Sequence, residues 1–484
     1  MADLLIAHGI VYTADAQDTI RPDGAVLISQ KRIAQIGPSA DLMVRHPDAE
    51  ILDASGMVVM PGLVNTHTHL SMTMTRSIAD DVPATSWLPV IWAVEKHLKP
   101  ETVYAGALLG IAEMIAGGTT TFSDHYFMMD QVARAVAETG IRADLAEGIL
   151  ENRDRKKGQR QLAAGIEFAA RHHDTADGRI RARIGPHALY TCSTDLVVEA
   201  RRAASELGIG MHMHVAESAL EIKLVGKAAK GPTSVQHLDA LGVLGPDFVL
   251  AHGLTINEAD MRVLAARGTG ICHCPQAYAK VGGYPFPAVD RWTDAGIKVG
   301  LGTDGVASNN NLDLFDEMRF AALVRKLFKR DGAVLPARKI IRMATLDAAR
   351  VLGLGDEIGS LEVGKKADLI LVDVRKPHLS PLHNVPGHLV YSASGADVDT
   401  TIVDGRILMR GRRFKTLDLP EVLALGQREF EALLARANWR PTLEEPKAGL
   451  VASLALKATQ QSLGLMQVLA GQREAEQEEA PPES

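Results

Sequence analysis

Six titratable residues stand out by type and spacing: His67 and His69 in "NTHTHL", His214 and Glu217 in "HMHVAES", His252 in "LAHG" and Asp304 in "GTDG". Each follows or ends an apolar, β-rich run. Residues two apart on a strand point to the same face, so His67 and His69 can reach one ion. Three neutral imidazoles and one carboxylate form a donor set for a single divalent metal ion, Zn²⁺ by preference with Fe²⁺ as the alternative. Such an ion lowers the pKa of a bound water from ~15.7 towards ~7. Two carboxylates beside it can divide the proton work: Asp304 takes the water's proton, and Glu217 protonates the group under attack. His252 can steady the charge that develops at the attacked carbon. Taken singly, each residue has a plainer reading. A strand-end histidine is often only a hydrogen-bonded structural residue, Glu217 suits a helix start, and Asp304 suits a turn. Four strand ends that all carry titratable groups in an apolar core would be costly without a function. His212 shares a face with His214 and is read as a bystander.

The elements that must carry these residues alternate strand with helix. "TTTFSDHYF" (119–127), "RARIGPHALY" (181–190), "GMHMHVAES" (210–218), "FVLAHGL" (248–254), "TGICHCPQ" (269–276) and "IKVGLGTDG" (297–305) are strand-like, with helical stretches between them. Strands separated by helices pair in parallel, and about eight such units over ~300 residues predict a (β/α)₈ barrel of the TIM type. In that fold the C-terminal strand ends share one mouth, which would gather the six residues. A doubly wound open sheet is the alternative, but the glycine-rich phosphate loop expected after its first strand is missing.

Both chain ends are β-rich and predict one small sandwich-like sheet domain. The expected division is 1–58 and 363–415 for the β-sandwich parts, 59–362 for the barrel, and 416–484 for a helical extension ending in an acidic tail. Within that extension, 448–471 reads as a helix too polar to span a membrane.

Composition narrows the function. A formal net charge of −7 in 484 residues leaves no basic footprint for nucleic acid. No apolar run approaches the roughly 20 residues of a membrane helix, and the first residues lack the pattern of a signal peptide. Three cysteines in a chain of this length suit reduced thiols in a cytoplasmic enzyme.

With these residues in hand, the chain resembles the amidohydrolase superfamily of metal-dependent hydrolases. "PGLVNTHTHL", "HMHVAES", "LAHG", "GTDG" and the late "GSLEVGKKADLILVD" carry the likeness over nearly the whole length. The resemblance implies one metal held by His67, His69, His214 and Asp304, with Glu217, His252 and Asp304 catalytic. No middle-strand lysine looks like the carbamylated bridge of two-metal relatives. Among subgroups, the chain is most similar to the deaminases of S-adenosylhomocysteine and methylthioadenosine and to their triazine chlorohydrolase neighbours. On that likeness Glu95, in the loop after the first strand, contacts the nucleoside sugar, and His187 in "GPHALYTCS" contacts the substrate, as does Glu217. The implied protein is a homo-oligomer acting on a small N-heterocycle.

The expected reaction is hydrolytic deamination of an aminated ring: an aminopurine nucleoside such as S-adenosylhomocysteine, methylthioadenosine or adenosine. Hydrolysis of an s-triazine or another pyrimidine- or guanine-type ring is the alternative, and a non-catalytic scaffold the reading from another class. One stretch departs from the subgroup. In "HCPQAYAKVGGYPFP" (273–287), Gln276, Ala277 and Tyr278 replace the usual small and amide residues. The bases of "ENRDRKKGQR" (151–160) are as well explained by a solvated loop as by binding a substrate tail.

Overall fold

A computed structural model of the protein describes residues 3–82, 84–218, 221–282 and 286–439. The segment 448–471 and the acidic tail lie outside the described residues. Eight strands form one parallel sheet in sequential order: β1 (Leu63–Thr68), β2 (Thr119–Tyr126), β3 (Arg142–Ile149), β4 (Ile180–Pro186), β5 (Met211–Val215), β6 (Phe248–His252), β7 (Gly270–His273) and β8 (Val299–Leu301). Helices between successive strands make each return parallel, as the alternating pattern requires. The sheet closes because β8 meets β1. The Asp304 N–H donates to the His67 carbonyl at 3.0 Å, and the Thr66 hydroxyl donates to the Leu301 carbonyl at 2.9 Å. Gly302 permits this approach: a Cβ there would sit 2.9 Å from the His67 nitrogen. The fold is therefore a (β/α)₈ barrel, and the open-sheet alternative is ruled out.

Strands from both chain ends build a second sheet of nine strands. Leu4–Tyr12 is its hub, pairing antiparallel with Ile20–Ser29 and parallel with Glu50–Asp53 and Met57–Pro61. The late strand Leu369–Asp373 runs antiparallel to Met57–Pro61 and joins the two ends of the chain. One buried cluster unites them, with Ile6, Val26 and Leu52 packed against Leu369, Leu371 and Ile402. Only Gly62 separates this sheet from β1, so the first barrel strand is a direct continuation of the small domain.

The N-terminal end of the barrel rests on this domain through charge. Arg142, the first residue of β3, donates to both carboxylate oxygens of Asp368 at 2.8 and 3.1 Å and to Asp404 at 2.5 Å. At the opposite end, the helix Ala84–Glu95 caps the mouth. The C-terminal helix Leu419–Ala437 backs it, burying Leu433 against Met74, Val94 and Ala105. No described helix is long and apolar enough to cross a membrane.

Candidate active site at the barrel mouth

The strand ends bring the six residues together. His67 lies on β1 and His69 just past it, His214 lies on β5, His252 ends β6, and Asp304 follows β8. The ligand-type nitrogens of His67, His69 and His214 lie within 4.8 Å of one another, close enough to hold one metal ion. Asp304 Oδ1 lies 3.5 Å from His67 Nε2 and 3.3 Å from His69 Nε2. The His67 contact is at the edge of hydrogen-bond reach, and His67 Nε2 is buried without a partner. His252 stacks on His214 with ring centroids 5.2 Å apart, and its Nδ1 is also buried and unpartnered.

The inner nitrogens are all anchored. His69 Nδ1 donates to the His125 carbonyl at 2.6 Å, and His214 Nδ1 donates to the His187 carbonyl at 2.9 Å. His67 Nδ1 meets His212 Nε2 at 2.9 Å, and His212 Nδ1 meets the Ser123 hydroxyl at 3.2 Å. Anchoring one nitrogen fixes the ring and its tautomer and presents the other to the shared point. Burial pushes the imidazoles down, His67 to about 3 and His214 well below its ordinary value. They are therefore neutral near pH 7, as ligation requires. Burial opposes ionisation of Asp304, but the imidazoles of His67, His69 and His252 around it hold its carboxyl well below the ordinary range.

Backbone strain marks the same place. His252 has φ +82° and Asp304 φ +59°, left-handed values that non-glycine residues adopt at a cost. The His252 conformation is braced by Tyr278, whose hydroxyl donates to the His252 carbonyl at 3.4 Å and accepts from the Cys274 N–H at 3.0 Å.

Above the cluster lies a cavity of about 590 Å³ lined by His69, His214, His252, Asp304, Glu217, Glu95 and His187 among others. Tyr190 donates to Glu217 Oε2 at 3.1 Å. Glu221 accepts the Glu217 N–H at 3.3 Å, and burial with the neighbouring Glu217 charge pushes it up to about 8. Glu95 is buried, which pushes it up to about 7 against the hydrogen bond donated by Tyr126. His187 follows β4 and pairs with the Thr191 hydroxyl at 3.0 Å.

Residues 58–408 match the amidohydrolase family. The chain belongs to the amidohydrolase family. Over 90% of its length it is 44% identical to the whole of a 5'-deoxyadenosine deaminase from Methanosarcina mazei. Over 89% it is 45% identical to a 5-methylthioadenosine/S-adenosylhomocysteine deaminase from Desulforudis audaxviator, covering 99% of that protein. A solved adenosine deaminase from Xanthomonas campestris with bound zinc superposes with a TM-score of 0.84 at 33% identity, over 90% of this chain and 99% of the other.

In this amidohydrolase the structure brings all eight sequence-selected residues to one mouth, and it adds others. His212 was read as a bystander, but it is fully buried and holds His67. The signal was present, since His212 shares its face with His214, but its depth shows only once β5 is paired with its neighbours. His125, in the quoted "FSDHYF", lines the cavity and anchors His69 through its carbonyl. Trp87 and Trp92 also line the cavity, as do Ala277 and Tyr278 from the divergent segment.

Proposed function

We propose that this amidohydrolase is a metal-dependent deaminase of adenine nucleosides, with His67, His69, His214 and Asp304 holding one zinc ion. The donor set fits: three neutral imidazoles with anchored backs, one carboxylate held ionised, and a buried His67 Nε2 that lacks a partner. When bound, the ion supplies Lewis acidity that makes water a competent nucleophile near neutral pH. The chain's own groups move the protons. Asp304 accepts the proton of the attacking water. Glu217, oriented by the Tyr190 hydroxyl, delivers a proton to the ring nitrogen next to the amino-bearing carbon. As the tetrahedral carbon collapses, the proton held by Asp304 passes to the amino group, which leaves as ammonia, and the new hydroxyl returns its proton to Glu217, so the ring gains a carbonyl, loses an amine, and both carboxyls recover their starting states. His252, packed on His214 with a free Nδ1, hydrogen-bonds the oxygen as charge develops on it. Glu95 and His187 bind the nucleoside. The strands within 4–61 and 369–414 form the supporting β domain and the elements between them the catalytic barrel, which moves the first division from 58/59 to Gly62, beyond the end of the strand Met57–Pro61. The three buried, unpaired thiols suit a cytoplasmic setting.

The observation that carries this reading is the convergence of three anchored imidazoles and Asp304 beneath a cavity of nucleoside size. Metal analysis joined to an ammonia assay tests it. Stoichiometric zinc and ammonia release from adenine nucleosides are expected. Chloride release from a chlorotriazine without ammonia release from any nucleoside would overturn the substrate class. A protein that takes up no stoichiometric metal would overturn the enzyme reading.

A further inference from the structure

The cavity wall around Glu95 decides which adenine nucleoside fits. With the amino-bearing ring carbon at the imidazole cluster, the sugar is carried to the helix Ala84–Glu95, where the Glu95 carboxyl can accept from its hydroxyls. The 5'-substituent then meets what remains of that wall: Trp87, Leu88 and Trp92 from the helix, with Phe127 and Leu150 from loops and Leu224 from the short helix Glu221–Val225. All six are apolar or aromatic. The ionisable groups other than histidine and tyrosine that face the cavity are carboxyls alone: Glu95, Glu217, Glu221 and Asp304. Among the described residues no lysine or arginine lines it. The undescribed internal residues 83, 219–220 and 283–285 contain none in sequence. Lys223, beside Leu224, and Arg153 are exposed and do not line the cavity, and two other bases of neighbouring segments are paired. Arg155 pairs with Glu199 at 2.5 Å, and Lys280 pairs with Asp80 at 2.6 Å.

We infer that the subsite beyond the sugar takes a neutral, apolar 5'-group, hydrogen or a short alkylthio chain, and rejects a tail that carries a carboxylate or phosphate. This rests on the deaminase reading and narrows it. A 5'-phosphate would bring a dianion into a cavity of four carboxyls, and an α-amino acid tail a zwitterion whose ammonium can meet those carboxyls but whose carboxylate finds no cation among the described lining residues; desolvating an unpaired charge is strongly unfavourable. A methyl or methylthio group needs no polar partner and covers aromatic surface. The pocket thus discriminates by what it lacks as much as by what it offers.

The test compares 5'-deoxyadenosine, 5'-methylthioadenosine, S-adenosylhomocysteine and adenosine 5'-monophosphate on the zinc-loaded protein. Ammonia release gives kcat/KM, and calorimetric binding to Glu217→Gln gives affinity without turnover. The first two compounds are expected to exceed the last two by about 100-fold in both readouts. Leu88→Arg, placing a cation on the proposed wall, should narrow that ratio by about tenfold. The wild-type ratio needs no variant to fold. Equal turnover or equal binding of all four would overturn the inference and leave the deaminase reading intact. Absence of turnover with the same order of binding would sink the deaminase reading and support this one.

Discussion

The two ends of the barrel treat buried charge in opposite ways. At the N-terminal end every donor group of Arg142 is engaged, by Asp368, Asp404 and the Gly178 carbonyl. Arg183 is served likewise by Asp144 at 2.5 Å and by the carbonyls of Asp247 and Leu352 at 2.8 and 2.7 Å. At the mouth, His67 Nε2 and His252 Nδ1 are buried with nothing to bond, and His252 and Asp304 sit in strained backbone conformations. The closed end spends Arg142 and Arg183 on carboxylates and backbone, although Thr119 Oγ1, Asp144 Oδ1 and Arg179 Nε nearby also lack a partner. The open end keeps its lone pairs and protons for something that arrives. An unsatisfied buried polar atom costs about 1–3 kcal/mol, so the mouth is a place where stability is given up for chemistry.

That contrast can be broken, most forcefully at the mouth. His214→Ala should lower kcat/KM by about 10⁴-fold or more, because groups that act as a unit fail together. Its metal content should drop, while the melting temperature of the metal-free protein stays near that of the wild type. A large loss of stability in the metal-free protein would mean that the imidazole is structural after all. At the closed end the pattern should invert. Arg142→Leu leaves Asp368 and Asp404 buried without their partner and should cost about 3–5 kcal/mol in denaturant unfolding, whereas the zinc stoichiometry of the folded fraction should not change. His212→Ala probes the layer between the two ends. It should weaken zinc affinity about 10–100-fold by freeing the His67 ring, measured by competition with a chelator.

The smallest effect is a pH dependence. Glu95 is pushed up to about 7 in the folded protein, above its ordinary value of 4.5. A carboxyl with a raised folded pKa favours folding below its unfolded pKa, and that contribution is lost as pH rises through the folded value. Glu95→Gln should therefore melt higher than the wild type at pH 8.5 by a margin greater than at pH 5.5, with a difference on the order of 2 kcal/mol. Parallel melting curves at the two pH values would show that Glu95 is not held in a desolvated site.

How much of this was readable beforehand depended on range. His67 and His69 were legible because strand alternation puts i and i+2 on one face, a rule that needs no neighbour. The barrel was legible because strand and helix alternate. His212 obeys the same alternation yet belongs to a deeper layer, about 6–7 Å further down the strand from His214, and depth depends on register with other strands. Glu95 was open to a second reading as an exposed helix carboxylate. Its burial comes from Tyr126 and from the way its helix is backed by Leu419–Ala437, more than 300 residues away in sequence. The brace from Tyr278 to His252 was hidden for the same reason: "QAYAKVGG" showed only that this segment differs, and the contact that gives the difference a role lies on another strand.

Gly62, the lone residue between the small sheet and β1, has a consequence for how the molecule could be divided. Its N–H donates to the Asp368 carbonyl at 3.1 Å, and the carboxylate of that same Asp368 grips Arg142. The strand that delivers His67 is therefore tethered at its base by the domain it leaves. A barrel excised without its companion sheet would keep every residue of the mouth and lose the anchor that sets their height. The small domain thus sets the chemistry from the far end: removing it would detune a mouth it never touches.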